Sequence, residues 1–140
     1  MFDKIGELSF NTKVLMRWGW TVVQENHAFH LNKPNGQLYL SMHTIQNAEY
    51  ATKYLWDRAP DITEDLGLAM ELPHKFLTLE ITEQRDGKYE ITYRNYFGLI
   101  ERMRQCDTLR EVPITICKVW WNWLEEKIGP WNSLEKEIGL

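Results

Sequence analysis

The segment 75–95 constrains the fold more than any other. "KFLTLEITEQ" sets Phe76, Leu77, Leu79 and Ile81 among polar partners, "RDGK" carries Asp86-Gly87, and "KYEITYRN" returns with Tyr89, Ile91 and Tyr93 on one side. A period of two places Tyr89, Ile91 and Tyr93 on one face of a half-buried antiparallel pair, and Asp-Gly is a preferred hairpin turn. The rest of the chain must extend that sheet and cover its apolar face.

Three further segments read as strands. "WTVVQEN" is rich in β-branched and aromatic residues, "AFHLN" alternates with Phe29 and Leu31 on one side, and "QLYLSM" returns after "KPNGQ". In that turn Pro34 sets φ, and Asn35-Gly36 supplies positive φ. Helices lie between and around the strands. Asn11 or Thr12 caps a short helix ending at Trp18 and Gly19. Thr44 or Asn47 opens "IQNAEYATKYLWDR", with Ile45, Ala48, Ala51 or Thr52, Leu55 and Trp56 at helical spacing and Pro60 as its end. "DITEDLGLAMELP" reads as a solvated acidic connection with a short turn of helix. "TLREVPITICKVWWNWLEEKIG" is the longest helix, with Thr108 as cap, Pro113 in the first turn and Gly129-Pro130 as the stop. Its core stripe is Ile114, Cys117, Trp121, Leu124 and Ile128. Trp120 and Trp123 fall on the neighbouring stripe. The tail around Trp131 adds one more turn, and "YFGLIERMRQ" reads as a short helix in preference to a further strand.

"LMRWGW" (15–20), "HLNKPNGQ" (30–37), "HTIQNAEYATKYLW" (43–56), "GKYEITY" (87–93) and "CDTLREVPITICKVWWNWL" (106–124), in this order, resemble the phage ABA sandwich domain family, small proteins of phages and prophages. Two places depart from the family pattern. Val119-Trp120-Trp121 stands where the family has small residues after Ile-Cys, and 95–105 looks like an insertion. The resemblance implies helices on both sides of a β-sheet and brings no catalytic residues with it.

Composition narrows the function. The chain has 140 residues, 44% of them hydrophobic and 13% aromatic, which is enough for a core in one compact domain spanning 1–140. A net charge of −4 argues against broad binding to a phosphate backbone. The N-terminus shows no signal peptide and the chain no membrane span, so the expected location is cytoplasmic, in the host cell if the protein is phage-encoded. Cys106 and Cys117 lie too far apart in sequence for a Cys-x-x-Cys motif and read as reduced thiols.

The chemical constellations are weak. His27 and His30, placed on one strand, point to opposite faces and do not converge on a metal; His43 and His74 lack neighbouring ligands. Cys106 precedes a helix cap, but no nucleophile motif surrounds it. Glu80 and Glu90, with Glu83, read as a solvated sheet face before they read as an acid/base pair. No glycine-rich phosphate loop is present, and no cofactor is implied.

Segment 93–105 stands out by mixing aromatic and basic residues. Tyr93, Arg94, Asn95, Tyr96, Arg102 and Arg104 are the candidate ligand site, since aromatics stack on bases and guanidinium forks onto phosphate. The plainer reading is an amphipathic element with solvated arginines. Trp120, Trp123 and Trp131 are the candidate interface. The expectation is therefore an α+β fold: a mainly antiparallel sheet of about five strands with helices on both faces. The expected function is that of a non-enzymatic phage-type accessory protein, an anti-defence factor sequestering a nucleotide-like signal. The alternative is a protein–protein module that inhibits a host or defence protein through the Trp-rich helix, with homo-oligomer formation open.

Overall fold

A computed structural model describes residues 8–43, 47–74 and 77–129. The chain gathers into two compact units, divided between Pro60 and Asp61. The first contains α1 (Phe10–Trp18), β1 (Thr21–Glu25), β2 (Ala28–Asn32), β3 (Leu38–His43) and α2 (Ala48–Asp57). The second contains α3 (Leu66–Met70), β4 (Thr78–Glu83), β5 (Tyr89–Arg94), β6 (Ile100–Cys106), a 3-10 turn at Leu109–Glu111 and α4 (Val112–Ile128). Both units thus run helix, three strands, helix. The class is α+β and every strand pair is antiparallel. The strands do not form one sheet of five; they divide into two three-stranded meanders, β1-β2-β3 and β4-β5-β6.

The hairpins within each sheet follow from local chemistry. Three of the hairpin loops are built alike, at 33–37, 84–88 and 95–99. In each, the first N–H donates to the carbonyl four residues on: Lys33 to Gln37 at 2.8 Å, Gln84 to Lys88 at 2.7 Å, Asn95 to Leu99 at 2.8 Å. The fourth residue is glycine with positive φ: 87° at Gly36, 85° at Gly87 and 83° at Gly98. A three-residue loop of this type needs a left-handed residue before the returning strand. Asn35 does not share the positive φ expected for an Asn-Gly turn. Its side chain instead accepts from the Gln37 N–H at 2.9 Å, as Asp86 accepts from Lys88 at 3.0 Å. A Cβ added at Gly87 meets nothing within 4 Å, so only backbone strain opposes substitution. Gly87→Ala is expected to lower stability by about 1–2 kcal/mol, measured by urea denaturation; no change would mean the loop relaxes freely.

In the first unit Ser9, not Asn11 or Thr12, caps α1, its hydroxyl accepting from the Thr12 N–H at 3.1 Å. Gly19, at φ 121°, stops the helix as expected. Asn47 caps α2, while Thr44 and Ile45 lie outside the described residues. Phe29 and Leu31 are buried on β2, and α2 packs on β2 and β3 with Ala51, Leu55 and Trp56 buried.

In the second unit Ile91 and Tyr93 form the buried row of β5, under α4. The acidic stretch is not a solvated connection. Asp65 caps α3, and Ile62, Ala69 and Leu72 are fully buried, with α3 packed on α4. Residues 100–106 form strand β6 and not a helix. The pairing of Tyr93 with Arg102 and of Arg94 with Ile100 leaves Glu101 as an extra residue on β6. Such a bulge breaks the period of two that identifies a strand.

Candidate functional site

The last helix sets the first part of the site. Val112, Ile116, Val119, Trp120 and Trp123 are buried, together with Cys117, while Ile114, Trp121 and Leu124 are half-buried and Ile128 is exposed. The inward face is therefore turned by about one residue from the stripe read in the sequence. Trp120 is 1% exposed, and its Nε1–H donates to the Pro73 carbonyl at 2.6 Å. Trp123 is also buried and meets Tyr93 edge to face, with ring centroids 6.3 Å apart. Both expected interface tryptophans thus belong to the interior of their own unit. Trp131 lies outside the described residues.

The six candidate ligand residues are not brought together. Tyr93 is fully buried under His74, which stacks on it at 5.3 Å. Its register partner Arg102 lies on the same side of the sheet and pairs with Glu126 of α4. Arg94 lies on the opposite side, where its Nε meets Glu80 at 2.9 Å; its Nη1 donates to the Gly98 carbonyl at 3.0 Å. Asn95 is occupied within the turn, its Oδ1 accepting from the Phe97 and Leu99 N–H groups at 2.9 and 3.0 Å. Tyr96 is 84% exposed at the turn's tip. Arg104 is exposed on β6. Two of the three arginines are already neutralised by carboxylates, and the aromatic rings point to different places.

The β5–β6 turn instead overhangs an apolar groove. Tyr96 and Phe97 pack edge to face at 5.5 Å, and Phe97 is 82% exposed. Beneath them a cavity of about 630 Å³ is floored by Leu77, Trp123, Leu124 and Ile128. The bulge residue Glu101 and Lys127 of α4 lie at its edge, 3.7 Å apart. Asn95 Nδ2 holds Glu101 from the other side at 3.2 Å. Glu101 and Arg102, adjacent on β6, thus both reach α4, one to Lys127 and one to Glu126. The two ion pairs tie the end of the helix to the strand at the edge of the groove. They are half-exposed and each is worth at most about 1 kcal/mol.

The remaining polar candidates are accounted for locally. Cys106 is buried, its thiol directed to the Thr108 carbonyl at 3.6 Å. Cys117 is fully buried, and its Sγ–H points to the Ile62 carbonyl at 3.8 Å. Burial, then the charge of Asp61, pushes that thiol up to about 12 from 9.0. His27 sits in the tight turn before β2, next to Asn26 at φ 58°; His30 hydrogen-bonds Ser41 at 2.7 Å. Glu80 pairs with Arg94 on the open sheet face, as a solvated face would. Among the described residues no group of three or more His, Cys, Asp or Glu side chains is placed to hold a metal.

Tyr96 is a candidate from the sequence, whereas the groove itself is not. Its floor comes from α4 positions assigned to the core and from Leu77 at the start of the hairpin. The available signal was the run Tyr96-Phe97-Gly98-Leu99, four residues of a turn with no charge. Comparison of the chain with protein-family models, curated proteins and solved structures finds no match.

Proposed function

We propose that this chain is a non-enzymatic protein–protein interaction module, and that its contact surface is the Tyr96-Phe97 tip with the groove beneath it. One observation carries the reading: two aromatic side chains, each more than four-fifths exposed, stand beside an apolar recess. Contiguous exposed apolar surface of this kind is uncommon on monomers and marks contact sites, where aromatic residues supply most of the binding energy. Under the resemblance to the phage family the partner would be a host or defence protein. The nucleotide-sequestering reading has less to stand on, because a phosphate would have to displace Glu80 and Glu126 from the arginines it needs.

Photocrosslinking in cells tests this. Phe97 is replaced by benzoylphenylalanine, and Tyr50, exposed on α2, serves as the control position. The expected result is a discrete adduct from position 97 and none from position 50. No adduct from position 97, or the same adducts from both positions, would overturn the reading.

A further inference from the structure

The two units agree in more than the order of their elements. We infer that they are two copies of one module, and that the groove of the second unit stands where the first holds an aromatic pair, Trp20 with Tyr39. Leu77 and Glu101 are then the two positions that open the groove. The use of the groove as a contact site rests on the reading above; the correspondence of the units does not.

The correspondence is one of register. At one constant offset β2 and β3 map onto β5 and β6: Leu31 onto Tyr93, Asn32 onto Arg94, Leu38 onto Ile100. The loops between them, 33–37 and 95–99, close with the same two backbone hydrogen bonds. Each returning strand then carries one extra residue at the same place. Asn32 pairs with Leu38 and Leu31 with Leu40, which leaves Tyr39 over, as Glu101 is left over on β6. The loop does not dictate that bulge. Loop 84–88 closes in the same way, yet β4 and β5 run on without a shift from the pair Glu83 and Tyr89. Bulges are placed features of a fold, so one shared at the same register position points to a shared module.

The flanking elements follow. The offset carries Ala51 and Leu55, buried on α2, onto Pro113 and Cys117, buried on α4, and each helix packs on the two strands before it. Val22 pairs with Leu31, and Leu79 pairs with Tyr93. Trp20 and Leu77, each two residues earlier, are therefore equivalent and fall on the same side of their sheets. Further back, at equal distance from them, Leu15 and Leu72 are both buried. From β2 through β3 the only residue kept is the loop glycine, Gly36 and Gly98, so the repeat shows in backbone geometry and not in sequence.

The copies differ at the groove. In the first unit Trp20 is buried and meets Tyr39 edge to face, with ring centroids 5.4 Å apart. The second unit has Leu77 and Glu101 at these positions, and both line the groove. An isobutyl group and a carboxylate fill far less space than two rings, and Glu101 turns to Asn95 and Lys127 instead.

Rebuilding the pair in the full chain tests this. Leu77→Trp, Glu101→Tyr and the double variant are labelled with fluorotryptophan and read by fluorine NMR in ordinary and heavy water. The indole introduced at position 77 should show no solvent isotope shift, because the groove receives it. Tyr50→Trp, at an exposed position, should show the full shift. In urea the double variant should be more stable than the two single changes predict together, by about 2- to 10-fold in the unfolding constant, the coupling of an edge-to-face pair. Leu77→Trp alone, which keeps the contacts of Glu101, gives the same reading of burial if the double variant does not fold. An indole at position 77 with the full solvent shift overturns the inference, as does a folded double variant without coupling. Rings that seat as expected, with no adduct from position 97 of the wild type, would leave the two copies standing and remove the contact reading.

Discussion

Replacing Trp120 with alanine is expected to remove about 3–5 kcal/mol of stability. Among the described residues the indole is the largest fully buried side chain, so its loss leaves a cavity under α4 that its neighbours can close only in part. The Pro73 carbonyl also loses the Nε1–H that donates to it at 2.6 Å, and an unsatisfied carbonyl adds to the cavity term. Domain stabilities are about 5–15 kcal/mol in total, so the variant should sit near its unfolding threshold at room temperature. Trp120→Phe separates the two contributions. It keeps most of the volume and should lose about 1–2 kcal/mol, mainly the hydrogen bond. Trp121→Ala, at a half-buried position, should cost clearly less than Trp120→Ala. Urea denaturation of the three variants decides the rotation of α4. A larger loss at Trp121 than at Trp120 would restore the stripe read from the sequence.

That rotation shows where sequence information ended. The existence of α4 and its end were legible, from a proline in the first turn, a glycine at the stop and apolar spacing throughout; its start was not, because Thr108 precedes the 3-10 turn Leu109–Glu111, without a side-chain cap hydrogen bond, and the helix begins at Val112. Its phase was not, because two adjacent stripes of the helix are equally apolar. The tie is broken by two distant partners. Pro73 accepts the Trp120 hydrogen bond, and the segment with Ile62 and Leu72 supplies a second packing surface. That segment reads as solvated because its carboxylates outnumber its buried positions, although Ile62, Ala69 and Leu72 carry the contact. Strand β6 was hidden for a different reason. The bulge at Glu101 interrupts alternation, and Arg102, half-exposed, stands on the helix side of the strand, where it pairs with Glu126. Hairpins with regular alternation and a glycine at the fourth loop position were legible directly, since their signal lies within ten or so residues. The division into two sheets rests on which strands pair, and no local pattern carries that.

The candidate site follows the same rule. Tyr96 was legible as an aromatic within a basic segment read as a helix, and it is exposed at the tip of a turn. The arginines around it drew attention through their charge, yet Glu80 and Glu126, remote in sequence, neutralise two of them. The groove needs the ends of β4 and α4 together with the β5–β6 turn. A site assembled from three separate segments leaves no contiguous motif to find.

Stability should fall steeply in alkali, and the cause lies in two buried acids of the second unit. Burial and then the charge of Asp61 push the Cys117 thiol up to about 12 from 9.0. Burial, and then the neighbouring Cys117, push the Tyr93 phenol well above its usual 10.0. Among the described residues its hydroxyl has no hydrogen-bond partner to hold a phenolate. Both groups therefore keep their protons in the folded chain at pH values where the unfolded chain has released them. The unfolded state binds fewer protons there, so unfolding becomes more favourable as pH rises. Each group contributes about 1.4 kcal/mol per pH unit once the pH passes its unfolded value. Cys117 alone should remove about 2 kcal/mol between pH 9 and pH 10.5, with Tyr93 adding to the slope above pH 10. Urea midpoints taken from pH 8 to 11 measure the fall. Cys117→Ala should flatten the curve between pH 9 and 10, whatever it costs at neutral pH. Tyr93→Phe should flatten the part above 10, and at neutral pH should be neutral or stabilising by about 1 kcal/mol, because it removes a buried donor that no described residue accepts. A wild-type midpoint that holds steady to pH 10.5, or a Cys117→Ala curve parallel to it, would mean that the thiol is open to solvent and that α4 does not bury the face assigned to it.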